Sequence, residues 1–188
     1  GGQPAPETLC ALSDLLADMQ DVELRLAPDE TAYIINLTGA EAEKVLAATA
    51  DGARTLFETS VSCVGGTICQ VGMRDSHGLL AACIDAVREA DLPDGALPQM
   101  HVSGCASSCG THQTGSIGFR GASKLFVGGC DAQGKEMMGR ELGNILESKV
   151  PAFLVELGKT VAASGMDFAA WREANPDGID QIAAPYLA

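Results

Sequence analysis

Cys63-Val64-Gly65-Gly66-Thr67-Ile68-Cys69 is followed, 35 residues later, by Cys105-Ala106-Ser107-Ser108-Cys109. Two cysteine pairs set among glycines and small residues make the pattern of a four-thiolate site. The spacings C-x5-C and C-x3-C are not those of common zinc modules, whose pairs are usually C-x2-C or close to it. They also differ from the C-x2-C-x2-C run of bacterial ferredoxins and from the plant-type run. Iron–sulfur clusters need soft anionic ligands, and a 4Fe–4S cube takes one thiolate per iron. Gly65, Gly66, Gly104 and Gly110 leave backbone N–H groups accessible to hydrogen-bond such a centre. Two disulfides, a structural zinc and four unrelated core thiols stand as the alternatives.

The bulk chemistry narrows the setting. A chain of 188 residues buries a real core in one domain or one and a half. Hydrophobic residues make up 46% and charged residues 20%, an ordinary globular composition that argues against disorder. No apolar run reaches a membrane-spanning length, and Gly1-Gly2-Gln3-Pro4-Ala5-Pro6 does not read as a signal peptide. Seven cysteines in that context point to a reducing, cytoplasmic compartment, where disulfides are disfavoured. Twelve Lys and Arg against 25 Asp and Glu give a formal net charge of −13. So acidic a surface repels phosphate backbones, so nucleic acid is not an expected partner, nor is a membrane.

Taken in order, the chain predicts a helix over Thr8–Met19, with Leu9, Leu12, Leu16 and Met19 at helical spacing and Cys10 expected in the core. Val22–Leu26 and Ala32–Leu37 read as a hairpin around the turn residues Ala27-Pro28-Asp29-Glu30. Thr38-Gly39-Ala40-Glu41 is a capping box opening a helix to about Ala48. Helix, two strands and helix form half of a ferredoxin-like unit that lacks the strand preceding its first helix, a hint of truncation. Phe57–Ser62 is a strand delivering Cys63; Asp75-Ser76 caps a helix to about Ala90, with Cys83 on its apolar face; Met100–Ser103 is a strand delivering Cys105. Strands are expected at Gly115–Arg120 and Leu125–Gly128, and helices at Glu136–Ile145, Ala152–Ala163, Phe168–Glu173 and Ile179–Ala184. Cys130 sits in a glycine-rich turn and reads as structural or incidental.

The two blocks extend beyond their cysteines. The first runs Ser62-Cys63-Val64-Gly65-Gly66-Thr67-Ile68-Cys69-Gln70-Val71-Gly72 and leads into Asp75-Ser76. The second runs from Leu97-Pro98-Gln99-Met100-His101 through Gly104-Cys105-Ala106-Ser107-Ser108-Cys109-Gly110-Thr111-His112-Gln113 into Ile117-Gly118-Phe119-Arg120-Gly121. Together they resemble the nitrite and sulfite reductases that carry sirohaem beside a 4Fe–4S cluster. The resemblance covers nearly the whole chain. It implies an α+β fold: a ferredoxin-like half-domain at 1–54, then a two-layer α/β 4Fe–4S and sirohaem domain with a mixed sheet at 55–188.

By that resemblance Cys63, Cys69, Cys105 and Cys109 are the cluster ligands, and Cys109 is also the axial ligand bridging to sirohaem iron. By the same resemblance Ser107 and Gly110 are expected to be cofactor-binding residues beside Cys109. Many family members carry Pro-Asn where this chain has Ala106-Ser107, a shorter side chain that still donates a hydrogen bond. His101 reads as packed or hydrogen-bonded, and His112 as a possible proton donor. The resemblance implies six-electron reduction of sulfite or nitrite, a small anionic substrate, with an electron donor such as a ferredoxin or a reductase subunit.

Sirohaem carries eight carboxylates and needs a dense set of cations. Between Cys63 and Cys109 there are five acidic residues, and Arg74 and Arg88 are the bases; Arg120 and Lys124 follow as possible anion contacts. The chain is therefore expected to be the carboxy-terminal half of a larger reductase, or a subunit meeting a basic N-terminal half or partner in trans. The reading from a different class is a non-catalytic iron–sulfur electron-transfer module without sirohaem; a zinc-stabilised or apo binding domain is a third.

Overall fold

The structure, a computed structural model, describes residues 4–27, 31–50, 52–121, 123–130, 135 and 137–188. It is an α+β fold in two compact units, one ending at Arg54 and the other running from Thr55 to Ala188.

The first unit is helix α1 (Pro6–Ala17), a hairpin of β1 (Glu23–Leu26) and β2 (Ala32–Ile35), and helix α2 (Gly39–Ala48). Proline in the first turn of α1 loses no hydrogen bond there. The hairpin is antiparallel, with Glu23 opposite Ile35 and Leu26 opposite Ala32. Thr38 and Glu41 cap α2 reciprocally: the Glu41 amide donates to Thr38 Oγ1, and the Thr38 amide donates to Glu41 Oε2 at 2.8 Å. Val45 is the buried hydrophobic among this unit's described residues, and α1 buries none of its own. Two strands and two short helices are too small to close a core. Cys10 is accordingly exposed, contrary to the expectation of a core thiol. Of the turn expected at Ala27–Glu30, residues 28–30 lie outside the described set.

The second unit is built on a mixed sheet of β3 (Val61–Ser62), β4 (Met100–Ser103), β5 (Ile117–Arg120), β6 (Lys124–Val127) and β7 (Arg140–Asn144), in that order. β3, β4 and β5 are parallel; β6 and β7 complete the sheet antiparallel. Helix α3 (Ser76–Glu89) links β3 to β4 and packs on α4 (Val150–Ala163), with α5 (Phe168–Ala174) and α6 (Gly178–Ala183) beyond. The Asp75 carboxylate accepts from the Gly78 amide at 2.9 Å and caps α3. Alternation along the strands sends Met100, Val102, Ile117, Phe119, Leu125 and Val127 to one face, into a core with Leu79, Leu80, Cys83, Phe153, Leu154 and Leu157. The opposite face carries His101, Ser103, Gly118, Arg120, Lys124 and Phe126.

Two expectations are corrected in this unit. Phe57–Ser62 is not one strand: Phe57–Thr59 is a 3-10 turn, and Val61–Ser62 alone pairs in the sheet. Buried tertiary bonds impose the turn, because Ser60 Oγ donates to the Phe57 carbonyl and accepts the Met100 amide at 2.8 Å. The helix expected over Glu136–Ile145 is the strand β7, with Glu136 outside the described residues. Met138, Leu142 and Ile145 mimic helical spacing, but Gly139 and Gly143 are poor helix formers. Pairing to β6 decides the outcome, with Lys124 opposite Asn144 and Val127 opposite Arg140.

Candidate functional site

The two cysteine loops leave the sheet side by side. Because β3 and β4 are parallel and paired at Val61↔His101 and Ser62↔Val102, Cys63 and Cys105 follow the carboxyl ends of neighbouring strands. The Cys63 amide continues the ladder, donating to the Val102 carbonyl at 3.0 Å. In open α/β sheets this edge is where ligands bind. The loops are joined there: the Gly104 amide donates to Cys63 Sγ at 3.0 Å, and the Met73 amide to the Gly104 carbonyl at 3.2 Å.

The first loop folds on itself. Cys69 donates its amide to the Gly65 carbonyl at 2.9 Å, Gly66 to Arg74 at 2.7 Å and Gly72 to Cys69 at 3.0 Å. A Cβ on Gly72 would lie 2.7 Å from Gly66 Cα, so the loop closes only with glycine there. The Ser76 hydroxyl, in the first turn of α3, donates to the Cys63 carbonyl at 2.7 Å and lies 3.4 Å from Cys63 Sγ. The loop's outer side is apolar and exposed, with Ile68, Val71 and Met73 each more than 60% accessible.

The second loop is the crossover from β4 to β5. Parallel neighbours need a long connection, usually a helix; here residues 104–116 make it as a loop laid on the polar face of the sheet. Two glycines permit the approach. A Cβ on Gly110 would meet the Val102 carbonyl oxygen at 2.0 Å, and one on Gly118 would meet the His112 carbonyl oxygen at 1.9 Å. Ser108 and Thr111, on either side of Cys109-Gly110, take left-handed backbone angles (φ +61° and +51°).

Cys63, Cys69 and Cys105 are partly buried and Cys109 is exposed; none is in a disulfide. The Cys105 thiol is held below the ordinary range because the Ser107 amide and hydroxyl both hydrogen-bond to it. Thiolate is the metal-ligating form. His112 is buried, its Nδ1 3.0 Å from Ser103 Oγ and its ring edge-on to Phe126 with centroids 4.7 Å apart. Burial, and then the nearby Arg120 charge, push its pKa down to about 4, so it is neutral at pH 7. His101 Nδ1 lies 2.8 Å from Thr111 Oγ1. Arg120 sits over the Phe126 ring at 5.3 Å and 3.8 Å from Glu141, while Lys124 is paired with the same carboxylate at 2.6 Å. Ser103 was not singled out from the sequence, although a serine closing an apolar strand immediately before Gly104-Cys105 is a readable signal.

Among the described residues, no three His, Cys, Asp or Glu side chains converge on a point that would hold a single metal ion. A cube would take each thiolate on a different iron and so asks for four sulfurs around one cluster rather than on one ion. The donors on Cys63 and Cys105, and the glycines where the loops abut, are chemistry that suits thiolate ligands of such a cluster. Sirohaem is different, since it calls for a dense cation set and the two cations beside the second loop, Arg120 and Lys124, are engaged by Glu141.

No family model matches the sequence, and no curated protein matches it either. Among solved structures, the NirA protein of Mycobacterium tuberculosis is similar, with a TM-score of 0.67 at 17% identity, over 92% of this chain. The chain spans 36% of the length of that structure. The likeness is one of fold. No helix among the described residues is long and apolar enough to cross a membrane.

Proposed function

We propose that this chain is the cluster-bearing part of a sirohaem-dependent sulfite or nitrite reductase, with Cys63, Cys69, Cys105 and Cys109 as ligands of a 4Fe–4S cluster. The observation that carries the reading is the pairing of the two cysteine loops at the carboxyl ends of β3 and β4, tied by the Gly104 amide on Cys63 Sγ. The family motifs in both loops and the fold-level likeness to NirA support it. In this reading the cluster and sirohaem, when bound, supply the six-electron reduction. The chain's own residues hold and orient the thiolates and place hydrogen bonds on their sulfurs. Cys109, the exposed cysteine, would help to hold sirohaem as well as the cluster. A basic N-terminal half or partner subunit supplies the cations for sirohaem and the substrate anion, and a ferredoxin or reductase subunit supplies electrons.

The engagement of Arg120 and Lys124 by Glu141 favours a second reading, an electron-transfer module that keeps the cluster without sirohaem. One experiment separates them: anaerobic reconstitution, iron and labile-sulfide analysis, then an absorption spectrum with and without sirohaem. About four irons and four sulfides per chain, lost on Cys→Ser substitution at any of the four positions, establish the cluster. A Soret shift on adding sirohaem, alone or with a basic partner, favours the reductase; a cluster with no response in either case favours the module. Zinc in place of iron, or no metal after reconstitution, overturns both.

A further inference from the structure

We propose that Ser103 and His112 form a positioning clamp that holds the Cys105–Cys109 loop in its ligating shape, an inference that rests on the cluster reading above. Ser103 is the last residue of β4, and its hydroxyl reaches across the loop it precedes. It accepts the Gly110 amide at 3.1 Å and lies 3.0 Å from His112 Nδ1. One buried oxygen thus ties the residue two before Cys105 to the residue after Cys109.

Proton accounting shows that the hydroxyl can make both bonds at once. A hydroxyl has one hydrogen and two lone pairs. With the Gly110 N–H on one lone pair, the Ser103 hydroxyl meets His112 Nδ1 either by donating its proton or by accepting Nδ1–H on the second lone pair, and either way the one oxygen makes both bonds. The low pKa of His112, about 4, makes the ring neutral, so it brings one acceptor nitrogen and one N–H.

The turn needs such a clamp. Ser108 and Thr111 both hold left-handed angles, which are strained for non-glycine residues and persist only where the surroundings over-determine them. Within the loop, the Thr111 amide bonds the Ser108 carbonyl at 2.8 Å and the Thr114 amide the Thr111 carbonyl at 3.0 Å. Those local bonds hold the turn together but do not attach it to the sheet. Around Cys109, attachment comes from the two bonds at Ser103, from the His101–Thr111 contact and from the His112 ring against Phe126, while the end of the loop is held separately, its Gln113 and Gly115 carbonyls accepting the Gly139 and Gly129 amides at 2.7 and 3.0 Å. Releasing Ser103 or His112 therefore lets the Cys109 turn relax away from the strand, with Cys63 and Cys69 undisturbed.

The test compares Ser103→Ala, which removes one oxygen, with His112→Phe, which keeps a ring against Phe126 but no acceptor. His112→Asn is the rescue variant, because its Oδ1 offers an acceptor close to the position of Nδ1. In the chain without cluster, Ser103→Ala and His112→Phe should speed amide exchange at Gly110, and alkylation at Cys105 and Cys109, by about tenfold, the scale of one lost buried hydrogen bond. Exchange at Val102 and Phe119 should stay unchanged, and His112→Asn should remain close to the parent. After reconstitution, Ser103→Ala and His112→Phe should shift the electron paramagnetic resonance signal and the midpoint potential of the cluster. Unchanged exchange at Gly110, equal acceleration across the sheet, or His112→Asn behaving like His112→Phe would each overturn the clamp. Should the parent chain take up no iron and sulfide, the cluster reading fails, and the exchange and alkylation rates still decide whether Ser103 and His112 position the loop.

Discussion

The Gly104 amide points at Cys63 Sγ, 3.0 Å away, so the backbone of one cysteine loop supplies a hydrogen bond to the sulfur of the other. A Cβ on Gly104 would lie 3.0 Å from the Arg74 carbonyl oxygen and 3.3 Å from both Gly65 Cα and Ser76 Oγ. Gly104→Ala must push the loops apart, at a cost of about 1–3 kcal/mol, the usual range for overpacking. Urea unfolding measures that cost, and the alkylation rate of Cys63 reports the loss of its donor. A variant as stable as the parent, with Cys63 equally protected, would show that the loops are not in register through this contact.

Cys105 offers a second check on the loop. Its thiol titrates below the ordinary range because the Ser107 amide, and then the Ser107 hydroxyl, hydrogen-bond the sulfur. Ser107→Ala removes the hydroxyl and keeps the amide, so the reactivity–pH curve of Cys105 should move to higher pH without reaching that of an unperturbed thiol. Iodoacetamide labelling followed by peptide mass analysis reads the curve site by site. No movement would mean that the amide alone sets the acidity.

His112 predicts a pH dependence with a definite sign. Its folded pKa is about 4 and its ordinary value 6.5, so the unfolded chain binds the extra proton first as pH falls. The stabilisation is complete above about pH 6.5 and is lost progressively down to pH 4, a span worth on the order of 2–3 kcal/mol. Denaturant unfolding at pH 7, 5.5 and 4.5 measures the slope, and His112→Asn should flatten it. An unchanged slope in that variant would assign the acid sensitivity to other groups.

How much of this was legible in the sequence depends on how local the cause was. The Thr38–Glu41 capping box, the Asp75 cap and the strand Met100–Ser103 follow from short-range patterns, and the structure has each of them. Cys83 lies on the apolar stripe of α3 and is fully buried. β7 was misread because its identity comes from pairing with β6, a contact the periodicity of Met138, Leu142 and Ile145 does not encode. Cys10 was misplaced because an apolar stripe predicts a buried face only where something packs on it, and α1 buries none of its residues. In the candidate site, the two cysteine loops are legible from spacing, but the Ser103 contacts depend on a crossover loop folding back over its own strand. Likewise Glu141, distant in sequence from Arg120 and Lys124, reaches them only through the β6–β7 pairing.

Glu58 is buried in the turn before β3, its carboxylate gripped by Arg88 Nε and Nη2, each at 2.8 Å. Arg88→Leu leaves a buried carboxylate without that partner, and stability should fall by about 2–4 kcal/mol; the half-exposed arginine keeps the figure below that of a wholly buried pair. Adding Glu58→Gln should recover part of the loss, since the uncompensated charge is then gone. A double variant no better than Arg88→Leu alone would place the cost in lost packing of the arginine stem rather than in the stranded charge.

Glu141 holds Lys124 at 2.6 Å and Arg120 at 3.8 Å on the sheet face beside the second cysteine loop. All three side chains are between 29% and 46% accessible, so solvent screens the pairs and Glu141→Gln should alter stability by less than about 1 kcal/mol. The larger effect is on charge. Two cations lose their shared counter-ion, and a small anion such as sulfite should bind this face more tightly than in the parent, with an affinity that falls as salt rises. Isothermal titration at low and high ionic strength measures both features, and Lys124→Gln in the Glu141→Gln background should remove most of the gain. If Glu141→Gln binds no more anion than the parent, Arg120 and Lys124 are structural partners of the β5–β6 hairpin, and the anion-binding cations of the proposed reductase lie elsewhere.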